Sequence, residues 1–338
     1  MSKKIAITIG DPSGIGPEII AKALMSGIDM LDYIPVVIGS PSVMQDGIRI
    51  AGVPLTVHIV NSVDDALLDS GLVNVLDAYK DFDIDHLKHG EVQKESGILA
   101  YKSIETAIKL ALEKKVSAVV TAPINKESFF LAGSPYPGHT EMFAGLTGTK
   151  NYSMILIYDK LRVAHVTTHV SMRQAVDIIK KEKVLKTINV AHNACVQLGV
   201  PNPVIAVAGL NPHAGENGLF GREEIEEIIP AIELAKARGI NATGPLPADT
   251  LFSKAIGGMY DCIVAMYHDQ GHIPIKLLGF AVNAKNGIWS DIKGVNVTFG
   301  LPVIRVSVDH GTAFGKAGKG TANPSSMIDA LNVALQLC

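Results

Sequence analysis

The sequence is short of the features that mark several protein classes. Its 30 Lys and Arg face 33 Asp and Glu, a net charge of −3 at pH 7, so no basic surplus points to nucleic acid or an anionic membrane. No uninterrupted apolar run approaches the roughly 18–20 residues that a spanning helix needs. The opening MSKKIAITIG runs into a strand-like segment without a secretory hydrophobic region. Cys195, Cys262 and Cys338 are few, odd in number, far apart and in no metal-like spacing. Repeats, low-complexity tracts and flexible linkers are also missing. These absences lead to the expectation of a cytoplasmic protein with no membrane or nucleic-acid partner. What is present is a globular balance, 47% hydrophobic and 19% charged, over 338 residues, enough for about two domains.

Short β-branched runs alternate with longer helical patterns. Strands are expected at 5–9, 36–38, 118–120, 154–158, 162–166, 204–208, 262–266 and 303–308, and helices at 18–25, 96–115, 173–197, 223–238 and 325–335. Pro17 suits the opening of the first helix, and Pro230 should split or kink the fourth. This alternation predicts an α/β fold with a mainly parallel sheet.

Polar residues gather where these strands end. Asn125 and Lys126 follow one, Thr167, Thr168 and His169 another, and Asn211 and His213 a third; His268 with Asp269, and Asp309 with His310, repeat the plan. Ligands of open α/β sheets bind outside the carboxyl ends of the strands, so such clusters predict a shared polar site, although each alone is ordinary turn material. His169, His213 and His268 stand 44 and then 55 positions apart, as suits ligands gathered from separate strands, or polar loop histidines without a metal. His165 and His272 compete for these roles. Gly271 and Pro274 argue against a helix after His268, which makes His272 a loop residue, while Asp269 is placed to orient His268 or to act as an acid or base.

The loop GDPSGIGPE at 10–18 lacks the third glycine of the dinucleotide fingerprint and the Gly-Lys-Ser/Thr of a P-loop, so it reads as a tight strand–helix turn. Arg305 alternates with apolar neighbours on a strand, a costly place for a cation without a carboxylate or phosphate partner. His139 and Thr140 turn straight into a helical segment, a position suited to phosphate.

The strings GDPSGIGPE (10–18), GHTE (138–141), TTH (167–169), GLNPHAGE (209–216), GPLPADT (244–250), AMYHDQG (265–271), GLP (300–302) and SVDHGTA (307–313) span the chain. Together they resemble the 4-hydroxythreonine-4-phosphate dehydrogenases of pyridoxal phosphate biosynthesis. The resemblance implies two α/β/α domains with a cleft between them, similar to isocitrate and isopropylmalate dehydrogenases, here divided as 1–135 plus 308–338 and 136–307, the second carrying the metal ligands. It further implies NAD or NADP as cofactor without the glycine fingerprint, and a homodimer with the active site at its interface. One divalent metal (Zn, Mg, Co or Mn) is implied on His169, His213 and His268, with substrate contacts at His139, Thr140, Lys276, Asn296 and Arg305. Lys276, Asp249 and Asp269 are the candidate acid/base residues, and the sequence does not choose among them.

The implied reaction is oxidation of the C3 hydroxyl of 4-hydroxythreonine 4-phosphate, then loss of the C1 carboxylate. One segment, 281–293, departs from the shorter turn of the biosynthetic enzymes and contains the only Trp. A related branch acts on D-threonate or D-erythronate 4-phosphate, so these acids stand as the alternative substrates. A metal-dependent hydrolase is the alternative from another class.

Overall fold

Apolar β-branched runs bounded by turn residues become strands, and amphipathic stretches between them become the helices that cover both faces. The computed structural model describes residues 3–26, 33–80, 82–283 and 288–338. The chain begins with β1 (Lys3–Thr8), α1 (Gly16–Met25), β2 (Tyr33–Gly39), α2 (Pro41–Ala51), β3 (Thr56–Val60), β4 (Leu72–Asp77), α3 (Lys94–Leu112) and β5 (Ala118–Thr121). It continues through α4 (Lys126–Leu131), α5 (His139–Leu146), β6 (Ser153–Tyr158), β7 (Leu161–His165), α6 (Met172–Ile178), α7 (Lys181–Gln197), β8 (Ile205–Ala208), a π-turn at Glu224–Ile228 and α8 (Ile229–Ala237). The remainder is β9 (Ala242–Leu246), α9 (Ala248–Ile256), β10 (Cys262–Ala265), α10 (His268–Gly279), β11 (Phe280–Asn283), β12 (Ile288–Ile292), β13 (Val295–Phe299), β14 (Ile304–Val308) and α11 (Ser325–Leu337). The expected α/β class and mainly parallel pairing are what the chain adopts. No helix among the described residues is long and apolar enough to cross a membrane.

The chain divides into two compact units, Met1–Asn151 with Ser290–Cys338, and Tyr152–Trp289. These limits differ from 1–135 plus 308–338 and 136–307: α5, β13 and β14 belong to the first unit. In that unit the strand order is β3-β4-β2-β1-β5-β14-β13, parallel except for the hairpin of β13 and β14. Alternate residues serve opposite faces. Ala6, Val36, Ile38 and Val119 join Ile104, Ile108, Phe129 and Phe143 in one apolar core. Their neighbours Ile5, Ile7 and Val37 point to the opposite face and are fully buried as well.

In the second unit the order is β6-β7-β10-β8-β9, with only β6–β7 antiparallel. Leu156, Val163, Ala206, Ile263, Leu251 and Ile275 form its core with α9 and α10. On the other side α7 lies against β7, β8 and β10.

The pattern at 173–197 forms two helices, α6 and α7, because Ile179 leaves the helical conformation and is fully buried, while Glu227 accepts the Lys181 N–H at 2.8 Å. The pattern at 223–238 does come in two pieces around Pro230, which occupies the first turn of α8. The loop expected after His268 is instead the helix α10, with Gly271 and Pro274 inside it. Pro274 lacks the N–H that would reach the Gln270 carbonyl, and burial of Ile275 offsets that loss. Gly271 is required by packing, since a Cβ there would collide with His165 Nε2. The segment 281–293 includes β11 and β12, which pair as a separate two-stranded sheet, and its residues 284–287 lie outside the described ones.

The 10–18 loop is a tight turn between β1 and α1, closed by the Gly14 N–H on the Asp11 carbonyl at 3.0 Å. Asp11 is fully buried, and burial pushes its pKa up to about 6, although its Oδ1 accepts the Ser13 N–H at 2.9 Å. An unfolded carboxyl titrates near 4, so its burial cost is absent below pH ~4, grows between pH ~4 and ~6, and is full above that. Asp11→Asn should therefore stabilise the protein at pH 8 by up to about 3 kcal/mol and give no such gain at pH 4. Equal changes in Tm at both pH values would contradict this account.

Candidate functional site

Within the first unit, β1, β5 and β14 are adjacent and parallel, so their C-terminal ends open onto one edge. A cavity of ≈ 230 Å³ lies there, lined by Thr121, Lys126, His139, Ser307 and His310 among others. Beside it stands Arg305, only 3% exposed. Its partners are hydroxyls: Nη1 donates to Thr298 Oγ1 at 3.0 Å and Thr140 Oγ1 at 3.4 Å, and Nη2 to Thr121 Oγ1 at 3.0 Å. Its Nε is buried without a hydrogen-bond partner, and no carboxylate among the described residues forms an ion pair with it. Burial lowers its pKa to about 10, with Glu141 opposing part of that shift, so the cation persists at neutral pH. The internal salt bridge that would be the ordinary fate of such a residue is not made.

His139 opens α5, and its Nε2 is buried without a partner. Burial, then the Arg305 charge, holds its pKa well below the usual histidine value, so the ring is neutral. An anion next to Arg305 would meet a charge that is desolvated and oriented but not neutralised, near a helix N-terminus. Asn296, on β13, is half-buried in the same unit opposite Ser307. Thr298 was not singled out by sequence, since a lone threonine in a strand carries no signal.

The second unit holds the histidines. The strands β7, β10 and β8 are neighbours in parallel register, with Ala265 beside His165 and Val264 beside Val207. His169, His268 and His213 follow them and so leave three adjacent strand ends on one edge. His165 ends β7, and His169 lies four residues beyond in a bend, so strand alternation does not relate the two. The His169 and His268 ring centroids are 5.7 Å apart. His272 belongs to α10, one turn from His268, and the two rings stack at 3.6 Å; His165 approaches His272 at 4.7 Å. Burial, then the neighbouring histidines, lowers the His165 pKa to about 3. His268 Nδ1 lies 2.6 Å from Asp269 Oδ1, an orientation that leaves Nε2 for a ligand.

His213 is exposed, and its ring lies 6.3 Å from that of Phe220. It starts a run of left-handed residues, with φ of 52° at His213, 53° at Ala214, 43° at Glu216 and 56° at Asn217. Each non-glycine position of that kind costs about 1–2 kcal/mol, and such strain concentrates at functional sites. Among the described residues no three His, Cys, Asp or Glu side chains are already gathered to hold one ion. The donor chemistry nevertheless fits a divalent metal: three imidazoles on adjacent strand ends, one oriented by a carboxylate. Lys276 sits in the last turn of α10 with its Nζ 4.1 Å from the Phe280 ring centre, and Asp249 is exposed in the first turn of α9.

The family described as "Pyridoxal phosphate biosynthetic protein PdxA" matches residues 32–334. The chain belongs to that family. A D-threonate 4-phosphate dehydrogenase of Pectobacterium atrosepticum is 46% identical over 100% of both chains. A 4-hydroxythreonine-4-phosphate dehydrogenase of Beijerinckia indica is 45% identical over 98% of this chain and 94% of its own. Among solved structures, a 4-hydroxythreonine-4-phosphate dehydrogenase from Klebsiella pneumoniae superposes with a TM-score of 0.86 at 45% identity, covering 100% of this chain and 98% of the other. The family match covers residues 32–334, and these relatives align with nearly all of the chain.

The Arg305 arrangement gives a direct test. Inorganic phosphate at ten times its dissociation constant should stabilise the protein by about 1.4 kcal/mol, read as a rise in Tm, and Arg305→Met should abolish that rise. An equal rise in the variant would assign the anion to other residues.

Proposed function

We propose that this chain is a dehydrogenase that oxidises the C3 hydroxyl of a four-carbon acid bearing a 4-phosphate, with decarboxylation following. The observation that carries the reading is Arg305: a buried cation with only hydroxyl partners, beside a cavity lined by His139 and Lys126. Several relatives at 45–46% identity are named D-threonate 4-phosphate dehydrogenases, which favours D-threonate 4-phosphate as the substrate, with 4-hydroxythreonine 4-phosphate as the other acid to test. When bound, a divalent ion supplies a Lewis acid for the C3 oxygen, and NAD or NADP accepts the hydride.

The chain's own residues do the rest. His169, His213 and His268 are the proposed metal ligands, and Asp269 keeps the His268 proton on Nδ1. Arg305, Thr140 and neutral His139 hold an anionic group of the substrate, and Asn296 and Lys276 add polar contacts. Engagement of Asp269 with His268 leaves Lys276 and Asp249 as the groups to move the hydroxyl proton.

A second copy of the chain is part of this reading. Ile273 and Leu277 are 55% and 77% exposed, one turn apart on the helix that begins at His268. An apolar stripe there suits self-association beside the proposed ligands. Leu277→Asp should convert a dimer to monomer in light scattering and reduce activity with it; a persistent dimer would assign the interface elsewhere.

The defining assay follows absorbance at the NADH band with D-threonate 4-phosphate, D-erythronate 4-phosphate and 4-hydroxythreonine 4-phosphate. NADH should form with one of these acids, stop on chelation of the metal, and return with added divalent ion. Release of inorganic phosphate without NAD would replace the dehydrogenase reading with a hydrolase.

A further inference from the structure

We propose that Glu224 and Gln270 are positioning residues that brace the His213 loop against the strand end leading to His268. The proposal rests on the metal reading above. Glu224 is 2% exposed and makes no ion pair among the described residues, so amide donors alone face its charge. Its Oε1 accepts the N–H groups of Leu210 and Asn211, both at 2.7 Å, and its Oε2 accepts Asn211 Nδ2 at 2.9 Å. It therefore grips the two residues that lead into Pro212 and His213. The loop folds back tightly enough that a Cβ on Gly209 would lie 2.8 Å from Ala214 Cα.

Gln270 extends the brace to the neighbouring strand. It is buried, its Oε1 accepts the Met266 N–H at 2.6 Å, and its Nε2 donates to the Gly209 carbonyl at 2.8 Å. A continuous set of hydrogen bonds thus runs from Met266, two residues before His268, through Gly209 to Asn211 and Glu224. The stretch it fixes is a polar loop with exposed His213 at its tip, where little apolar surface rewards such order. Placing a buried carboxylate under a solvent-facing imidazole is an arrangement for holding a ligand in place rather than for filling a core.

The test is equilibrium dialysis with Co²⁺ alone on the full chain, with folding checked by circular dichroism. Glu224→Ala and Gln270→Ala should each weaken Co²⁺ binding about 10- to 100-fold. Glu224→Gln keeps one carbonyl acceptor and should lose less. Asn74→Ala, which removes a buried side chain bonded to Pro35 and Leu67 in the other unit, should lower Tm and leave Co²⁺ affinity unchanged. Wild-type affinity in Glu224→Ala would overturn the brace. If His213→Ala binds Co²⁺ like wild type, the metal assignment has failed, and amide hydrogen exchange over residues 209–218 decides the brace by itself. Faster exchange there in Glu224→Gln, with β8 unchanged, supports it, and unchanged exchange overturns it.

Discussion

Parallel pairing in close register is the constraint from which the functional chemistry follows. When β1, β5 and β14 run side by side in one direction, and β7, β10 and β8 do so in the other unit, the connections out of each set must leave from one edge of that unit's own strands. The hydrogen-bond ladder leaves no freedom to send one polar loop to the opposite end. Both faces of these strands are covered, so the strand ends are the places where polar side chains reach solvent without crossing an apolar layer.

Both units hold a buried ion near their strand ends without a counter-ion among the described residues. Around Arg305 the partners are threonine hydroxyls, which orient a guanidinium without cancelling it. Around Glu224 the partners are amides, which do the same for a carboxylate. In both places a buried ion is given direction by neutral dipoles rather than by a counter-ion. The first arrangement leaves an unspent positive field, and the second spends the negative one on backbone order.

Much of this was legible in the sequence. Eight strands announced themselves because their runs are short, β-branched and bounded by turn residues, whereas β3, β4, β9, β11, β12 and β13 were not expected; the histidines could be located because each follows an expected run. Arg305 could be recognised because a cation alternating with valines needs an explanation in any fold. What escaped did so for physical reasons. The helix after His268 was hidden by Gly271 and Pro274, whose local preferences are overridden by the close approach of His165 and the burial of Ile275. Glu224 was hidden because REEIEE reads as a solvated acidic face, and only the fold turns one of its four glutamates inward. The metal ligands, as a set, came from family resemblance, since spacing alone favoured polar loop histidines without a metal.

The π-turn at Glu224–Ile228 sets the phase between the inward glutamate and the helix that follows. Such a turn holds one residue more than an α-helical turn, and Pro230 follows in the first turn of α8. Removing any single residue there would restore the ordinary helical repeat while turning the preceding side chains by about 100° relative to α8. The segment would still read as a helix, with the same composition and the same apolar stripe beyond it, but its inward glutamate would point elsewhere. Chain length across these five positions, more than the identity of most of them, therefore sets where the inward glutamate points. Relatives that differ there by one residue should be expected to hold their equivalent loop by other means.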